Sequence, residues 1–302
     1  MPVPHRTQFK RFVVLSISVL YFGCSRLRRN IRRWLRLDFP GTCVVLYYHG
    51  VASAHRARFA RQMDMLLRDA KLVRADREAS LDRGVHHAAV TFDDGYRNVI
   101  ENALPELQTR GIPSTVFVIT AALGRYPNWL TDPRDPAHKE RVMSPDDLTQ
   151  MASELVAVGS HTTTHRVLPN LARDDARREL MESRAKLEKM LDKPVTLFSF
   201  PYGAFNHDLV ELCRESGYQR VFTILPGLAL SDPHEFVSPR VSVDPTDSPL
   251  EFRLKLMGGY GWLPLAFALK SKVRSLFRPS KKRVATSRSS AGRQPSSAPG
   301  VQ

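Results

Sequence analysis

Two adjacent aspartates, Asp93-Asp94, follow the apolar run Ala88–Phe92, and two histidines four residues apart, His161 and His165, follow Gly159-Ser160. Imidazole and carboxylate are the usual ligands of catalytic zinc. A spacing of four lets both rings converge if Ser160–His165 forms one helical turn or a tight loop. Each piece alone is common, because Asp-Asp-Gly is a frequent turn and paired histidines are frequent surface residues. Together they describe a divalent metal site whose three protein ligands leave a position open for water. Two further candidates also follow strand-like runs: His49, after Cys43–Tyr48, and Pro201-Tyr202, after Thr196–Phe200.

These residues need elements to position them, and strand-like and helix-like segments alternate between residues 42 and 250. Cys43–Tyr48 (CVVLYY), Ala88–Phe92, Ser114–Ile119, Thr196–Phe200 and Arg220–Ile224 read as strands. Helices are predicted over 98–110, stopping at Gly111, and over 174–191. Another starts at Ser144-Pro145-Asp146-Asp147, an N-cap with proline at the first helical position, and runs to Leu155. Asn206 caps a further helix that ends at Gly217. Such alternation over about 200 residues implies a largely parallel α/β sheet or barrel. In those folds the site lies at the carboxyl ends of the strands, where His49, Asp93-Asp94, His161 and Tyr202 all fall.

Three segments, Thr91-Phe92-Asp93-Asp94-Gly95-Tyr96, Ser160-His161-Thr162-Thr163-Thr164-His165 and Phe200-Pro201-Tyr202-Gly203, resemble the first three motifs of the polysaccharide deacetylases, the NodB-type carbohydrate esterases. The resemblance covers roughly residues 42–245, with the motifs in family order. It implies a distorted (β/α) barrel, usually of seven strands, as a single catalytic domain. It also implies that Asp94, His161 and His165 bind a divalent metal, most simply Zn²⁺, with Co²⁺ or Ni²⁺ as alternatives. Asp93 would be the general base, and the backbone N–H of Tyr202 would help hold the oxyanion. The implied reaction removes N-acetyl groups from amino sugars of a polysaccharide, oligosaccharide or lipid-linked glycan. A silent carbohydrate-binding protein on the same fold, or a hydrolase of another amide or ester, are the alternatives.

The sequence departs from the family pattern in two places. No Leu-x-His motif occurs after residue 245 to supply the general acid. Leu46-Tyr47-Tyr48-His49-Gly50 is instead similar to the Tyr-His motif of the circularly permuted branch, which includes poly-N-acetylglucosamine deacetylases, so His49 is the expected acid. Many members also carry an arginine two residues before the Pro-Tyr pair, where this chain has Ser199. Arg240, in Ser238-Pro239-Arg240-Val241, is the candidate to supply that charge from another strand.

The net charge of +15 belongs to the ends of the chain. Residues 1–36 hold nine Lys/Arg and residues 252–302 hold eleven, with no acid in either stretch, leaving 25 basic against 30 acidic residues between them. A mildly acidic core argues against specific nucleic-acid binding. The run Phe12–Cys24 is shorter than the ~20 apolar residues of a spanning helix. Leu27, Ile31, Trp34 and Leu35 continue it at helical spacing, opposite Arg28, Arg29, Arg32, Arg33 and Arg36, the composition of an interfacial helix on anionic lipid. The expected organisation is a basic amphipathic segment over 1–40, the catalytic domain over 41–250, an amphipathic basic segment over 251–277 and a disordered basic tail over 278–302. Peripheral association with the cytoplasmic face of a membrane is expected, with an N-terminal export signal or anchor as the alternative. Cys24, Cys43 and Cys213 are too few and scattered for a disulfide framework or a zinc ribbon.

Overall fold

The computed structural model describes residues 5–35, 37 and 40–276. The chain divides into two compact units, Met1–Leu265 and Ala266–Gln302. Of the second, only residues 266–276 are described, as helix. The tail expected to be disordered, 278–302, lies outside the described residues.

The first unit is built on parallel strands. β1 (Thr42–Tyr48) pairs with β3 (His86–Phe92), and β4 (Ser114–Val118), β5 (Val156–Ser160), β6 (Leu197–Ser199) and β7 (Arg220–Phe222) follow in order on the far side of β3. A two-residue strand, β2 (Lys71–Leu72), pairs with the amino-terminal half of β3. The sheet ends on β8 (Val237–Ser238) beside β7 and on β9 (Val241–Ser242) beside β1. Only Pro239-Arg240 separates these two edges in sequence. One short extended segment therefore pairs with the last strand through its first half and with the first strand through its second half. That step curls the sheet into a distorted α/β barrel, and counting β8–β9 as one closing strand gives the seven positions expected.

Strand side chains alternate between the barrel interior and the helical layer, as a pleated strand requires. Cys43, Val45, Ala89, Phe117, Leu197 and Phe222 form one buried cluster. Their neighbours Val44, Leu46, Tyr48, Val90, Phe92 and Val116 form another with α2 (Arg56–Asp69) and α3 (Leu104–Thr109). Burial on both faces is why β1 reads as an unbroken apolar run. Leu180 of α5 (Arg173–Leu191) packs with Leu212 of α6 (His207–Glu215) against Phe198 and Val221.

The helices differ from expectation in instructive ways. The predicted helix over 98–110 is a π-helical turn, Val99–Ala103, followed by α3. The capping box at Ser144 and Asp147 forms, but α4 (Pro145–Met151) ends four residues before Leu155. The carbonyl of Leu155 instead accepts from Ser114 N at 2.8 Å, as the chain enters β5. Helix α2 has no counterpart among the helices expected from sequence. The amino-terminal segment is a single 30-residue helix, α1 (His5–Trp34), and it belongs to the first unit. Among the described residues no helix is long and apolar enough to cross a membrane.

Candidate active site

The expected site residues come from different strand ends. Asp93-Asp94 leave β3, His161 leaves β5 with His165 in the loop beyond it, and His49 follows β1. Tyr202 lies in a 3₁₀ turn after β6, and Arg240 sits in the closing step between β8 and β9. His49, Asp93, Asp94, His161, His165 and Tyr202 line one cavity of about 510 Å³ at this rim.

Asp94, His161 and His165 bring ligand atoms within 4.8 Å of one another, all in buried side chains. Asp94 Oδ1 lies 3.5 Å from the Nε2 atoms of both His161 and His165 and has no hydrogen-bond partner among the described residues. His161 Nδ1 lies 2.7 Å from the Ser199 carbonyl, so it carries the proton there and leaves the Nε2 lone pair facing Asp94. Acceptors that converge with no protein donor between them leave a buried oxygen unsatisfied, which costs free energy. A divalent cation satisfies all three, so the donor set fits one.

The backbone is bent to make this convergence. Asp94, Thr162, His165 and Tyr202 all have left-handed φ, between 57° and 69°. Non-glycine residues occupy that region at a cost, and such positions cluster at functional sites. Ser160–His165 is thus a tight loop, not a helical turn. Gly95 continues the left-handed path after Asp94, and a Cβ there would lie 3.3 Å from Val118.

Asp93 is buried, and Arg240 meets it with both terminal nitrogens, at 2.8 and 2.7 Å. Arg240 also donates to Ser199 Oγ at 2.6 Å, Thr91 Oγ1 at 3.1 Å and the Thr223 carbonyl at 3.2 Å. Its side chain is fully buried against Tyr47, Phe117 and Phe222. Burial by itself would push the Asp93 carboxyl up. The charge of Arg240 outweighs it, with help from His161, the Arg240 hydrogen bonds and His49, and holds that carboxyl at about 2. Asp94 follows the same pattern: burial raises its carboxyl, but the His161 imidazole 3.5 Å away and the charges of His49 and His165 bring it below the ordinary value. The two histidines diverge. Burial and the neighbouring His161 push His165 down to about 3, whereas Asp94 and Asp93 overcome burial to raise His161.

His49 is exposed at the mouth, edge-on to Tyr47 at 5.8 Å. Tyr202 lays its ring 4.5 Å from that of His165 and donates its hydroxyl to the Trp129 carbonyl at 3.2 Å.

A polysaccharide deacetylase family model matches residues 81–221. YxkH of Bacillus subtilis (strain 168), a protein assigned to the polysaccharide deacetylases, is 27% identical over 223 residues, 70% of this chain and 75% of its own. The solved structure of IcaB from Ammonifex degensii superposes with a TM-score of 0.60 at 26% identity, covering 73% of this chain and 97% of that one. The central domain of this chain is a polysaccharide deacetylase domain. The poly-β-1,6-N-acetyl-D-glucosamine N-deacetylase of Staphylococcus aureus (strain MSSA476) is 24% identical over 183 residues, so the chain spans 58% of that relative's length.

The deacetylase site includes residues that the sequence did not single out. Trp129 lines the cavity 5.3 Å from the His165 ring, from a long connection with no strand pattern. Glu179 of α5 is buried, and it accepts from Thr163 N at 2.9 Å, Thr164 N at 2.8 Å and the Thr164 hydroxyl. It thereby pins the loop that carries both histidines. In sequence it is one of many acids on a charged helix, so nothing marked it.

Proposed function

We propose that the chain removes N-acetyl groups from amino sugars of a glycan by hydrolysis that depends on a divalent cation, most simply Zn²⁺. The observation that carries this reading is the unsatisfied Asp94 Oδ1 between two imidazoles, beside a carboxylate clamped by Arg240. Asp94, His161 and His165 would hold the ion. When bound, a divalent cation polarises the acetamide carbonyl and lowers the pKa of a water it holds from 15.7 to about 7. Asp93 takes the proton of the attacking water as the new C–O bond forms, oriented by Arg240. The Tyr202 N–H donates to the carbonyl oxygen as negative charge builds there. His49 protonates the sugar nitrogen as the C–N bond breaks, releasing free amine and acetate. The name of the staphylococcal relative favours a poly-N-acetylglucosamine as substrate.

Protein stripped and reloaded with Zn²⁺, Co²⁺ or Ni²⁺ tests this on N-acetylated glycans, read by acetate release beside His161→Ala and Asp93→Asn. Release that persists in both variants sinks the mechanism. Hydrolysis of simple esters or other amides, with N-acetylated glycans bound but uncleaved, moves the reading to the alternative hydrolase.

We further propose that the enzyme works at a membrane surface. Phe9, Phe12, Leu20, Leu27, Ile31 and Trp34 recur at helical spacing along one side of α1 and are each 49% exposed or more. That stripe is flanked by basic residues in a segment without acids, which suits an anionic bilayer. Cys24, exposed on the same side, gives a direct probe. Anionic vesicles are expected to slow its alkylation and to lose the protein on Leu20→Asp/Leu27→Asp. Equal alkylation with and without vesicles removes the membrane from the account.

A further inference from the structure

The apolar stripe of α1 points away from the barrel, and its other side, where Ser18 is buried beside half-buried Val14, Leu15 and Phe22, faces inward. Arg11 donates to Glu251 at 2.6 Å, and Ser18 accepts from Trp262 Nε1 at 3.0 Å. About two to four turns further along that side, Ser25, Arg29 and Arg32 line a cavity of about 320 Å³, with Arg28 at its edge. Tyr21, Phe22, Leu228 and Met257 supply apolar wall. Across Arg29 a second cavity of about 220 Å³ is lined by Arg26, Asn30 and His86. Both reach Thr42, the first residue of β1, so they lie at the opposite end of the barrel from the catalytic rim.

Among the described residues no carboxylate lines either cavity. Six other arginines of this unit, Arg56, Arg68, Arg74, Arg110, Arg173 and Arg184, each meet a carboxylate at 3.0 Å or less. Like charges clustered on one helix repel. Burial, and then the neighbouring Arg26, pull the Arg29 guanidinium below its ordinary value. A group placed so is relieved by an anion. Phosphate, with several oxygens to accept from arginine forks in different directions, suits the cluster better than a single carboxylate.

We infer that the cleft between α1 and the amino ends of β1 and β3 is a binding site for a phosphate-bearing lipid headgroup, held by Arg26, Arg28 and Arg29. This rests on the membrane reading above. A helix whose apolar face sinks roughly 5–10 Å into the interface carries its opposite face at the level of the headgroups. The arginines meet phosphate there while Tyr21, Phe22 and Leu228 line the approach for its glycerol. Free phosphate offers the same oxygens, and the apolar stripe is what favours the lipid.

The test uses the full chain with vesicles of phosphatidylcholine alone or with added phosphatidic acid, and glycerol 3-phosphate as a soluble probe. Phosphatidic acid is expected to strengthen binding, and Arg28→Gln/Arg29→Gln to remove roughly thirtyfold of that gain, at about 1 kcal/mol per basic residue near the surface. The same variant should keep its acetate release and its binding to neutral vesicles. Lys189→Gln/Lys193→Gln removes equal charge from exposed positions on and after α5 and is expected to change little. Equal loss in that control overturns the site in favour of long-range charge. Glycerol 3-phosphate binding that depends on Arg29, without any preference for phosphatidic acid in vesicles, overturns the lipid assignment. Loss of neutral-vesicle binding in Leu20→Asp/Leu27→Asp reports on the membrane reading separately. If the wild type binds no vesicle at all, that reading and the lipid assignment fall together.

Discussion

At the catalytic end of the barrel Arg240 is enclosed, with every terminal nitrogen committed to Asp93, Ser199 or Thr91. At the other end Arg26, Arg28 and Arg29 leave α1 for space that no described carboxylate lines. The same side chain does opposite work in the two places. Paired inside the barrel, it fixes one carboxylate in one orientation and keeps it ionised. Gathered with no acid among the described residues lining the space, it stores repulsion that an arriving anion relieves. The pairing also explains Ser199: a serine at that position leaves room for a guanidinium entering from the closing segment, and its hydroxyl becomes one of that guanidinium's acceptors.

The contrast can be tested by breaking each end in turn. The largest effect is expected at the metal ligands, where His161→Ala should lower acetate release by roughly 10³-fold or more, because several kcal/mol of Lewis-acid stabilisation is lost. Arg240→Met should come next. It strands a buried carboxylate, and urea unfolding is expected to show a loss of about 3–5 kcal/mol. Arg28→Gln should stay within about 0.5 kcal/mol of wild type, as an exposed residue with no ion-pair partner among the described residues. If the two variants unfold alike, the comparison between the ends fails. Adding Asp93→Asn to Arg240→Met should recover part of the lost stability.

Glu179→Gln sharpens the catalytic side. The amide cannot accept from Thr163 N, Thr164 N and the Thr164 hydroxyl as the carboxylate does, so the histidine loop loosens. Chelator competition is expected to show metal affinity about 10–100-fold weaker, the usual effect of losing a residue that orients ligands. An unchanged affinity would return Glu179 to an ordinary helix acid.

The smallest effect is a pH dependence at the arginine end. His86 bonds Thr42 Oγ1 through Nδ1 and the Leu256 carbonyl through Nε2, both at 2.9 Å. Burial, against the pull of the Leu256 carbonyl, lowers it below its ordinary 6.5. A histidine kept neutral on folding binds fewer protons folded than unfolded. Its stabilising contribution is therefore present above pH 6.5 and lost as pH falls below that value toward the folded pKa. The urea midpoint is expected to drop over that range in wild type and to flatten in His86→Asn.

Much of the catalytic rim is legible in the chain because strands announce their own ends. A buried parallel strand is an apolar run, and the polar residues just after it fall at one rim, so patterning alone groups Asp93, Asp94, His161 and Tyr202. Alternation of strands and helices is enough for a largely parallel α/β sheet or barrel, and the motif resemblance selects the barrel. The ends of α4 and of the segment after Asn98 are less legible, since strand pairing at Leu155 and a π turn at Val99 override local propensity.

The set of donor atoms and the order of the elements that carry them are written in the chain. Ligand chemistry lies in residue type, and strand order follows from patterning. Which distant side chains meet depends on the folded chain. The closing step at Pro239-Arg240 brings Arg240 onto Asp93, 147 residues away in the chain. The packing of α5 brings Glu179 under the histidine loop, and the rotation of α1 sets Arg29 between two cavities and turns its apolar stripe outward. None of these is written in local sequence, because each depends on how a face is oriented after the chain has closed on itself.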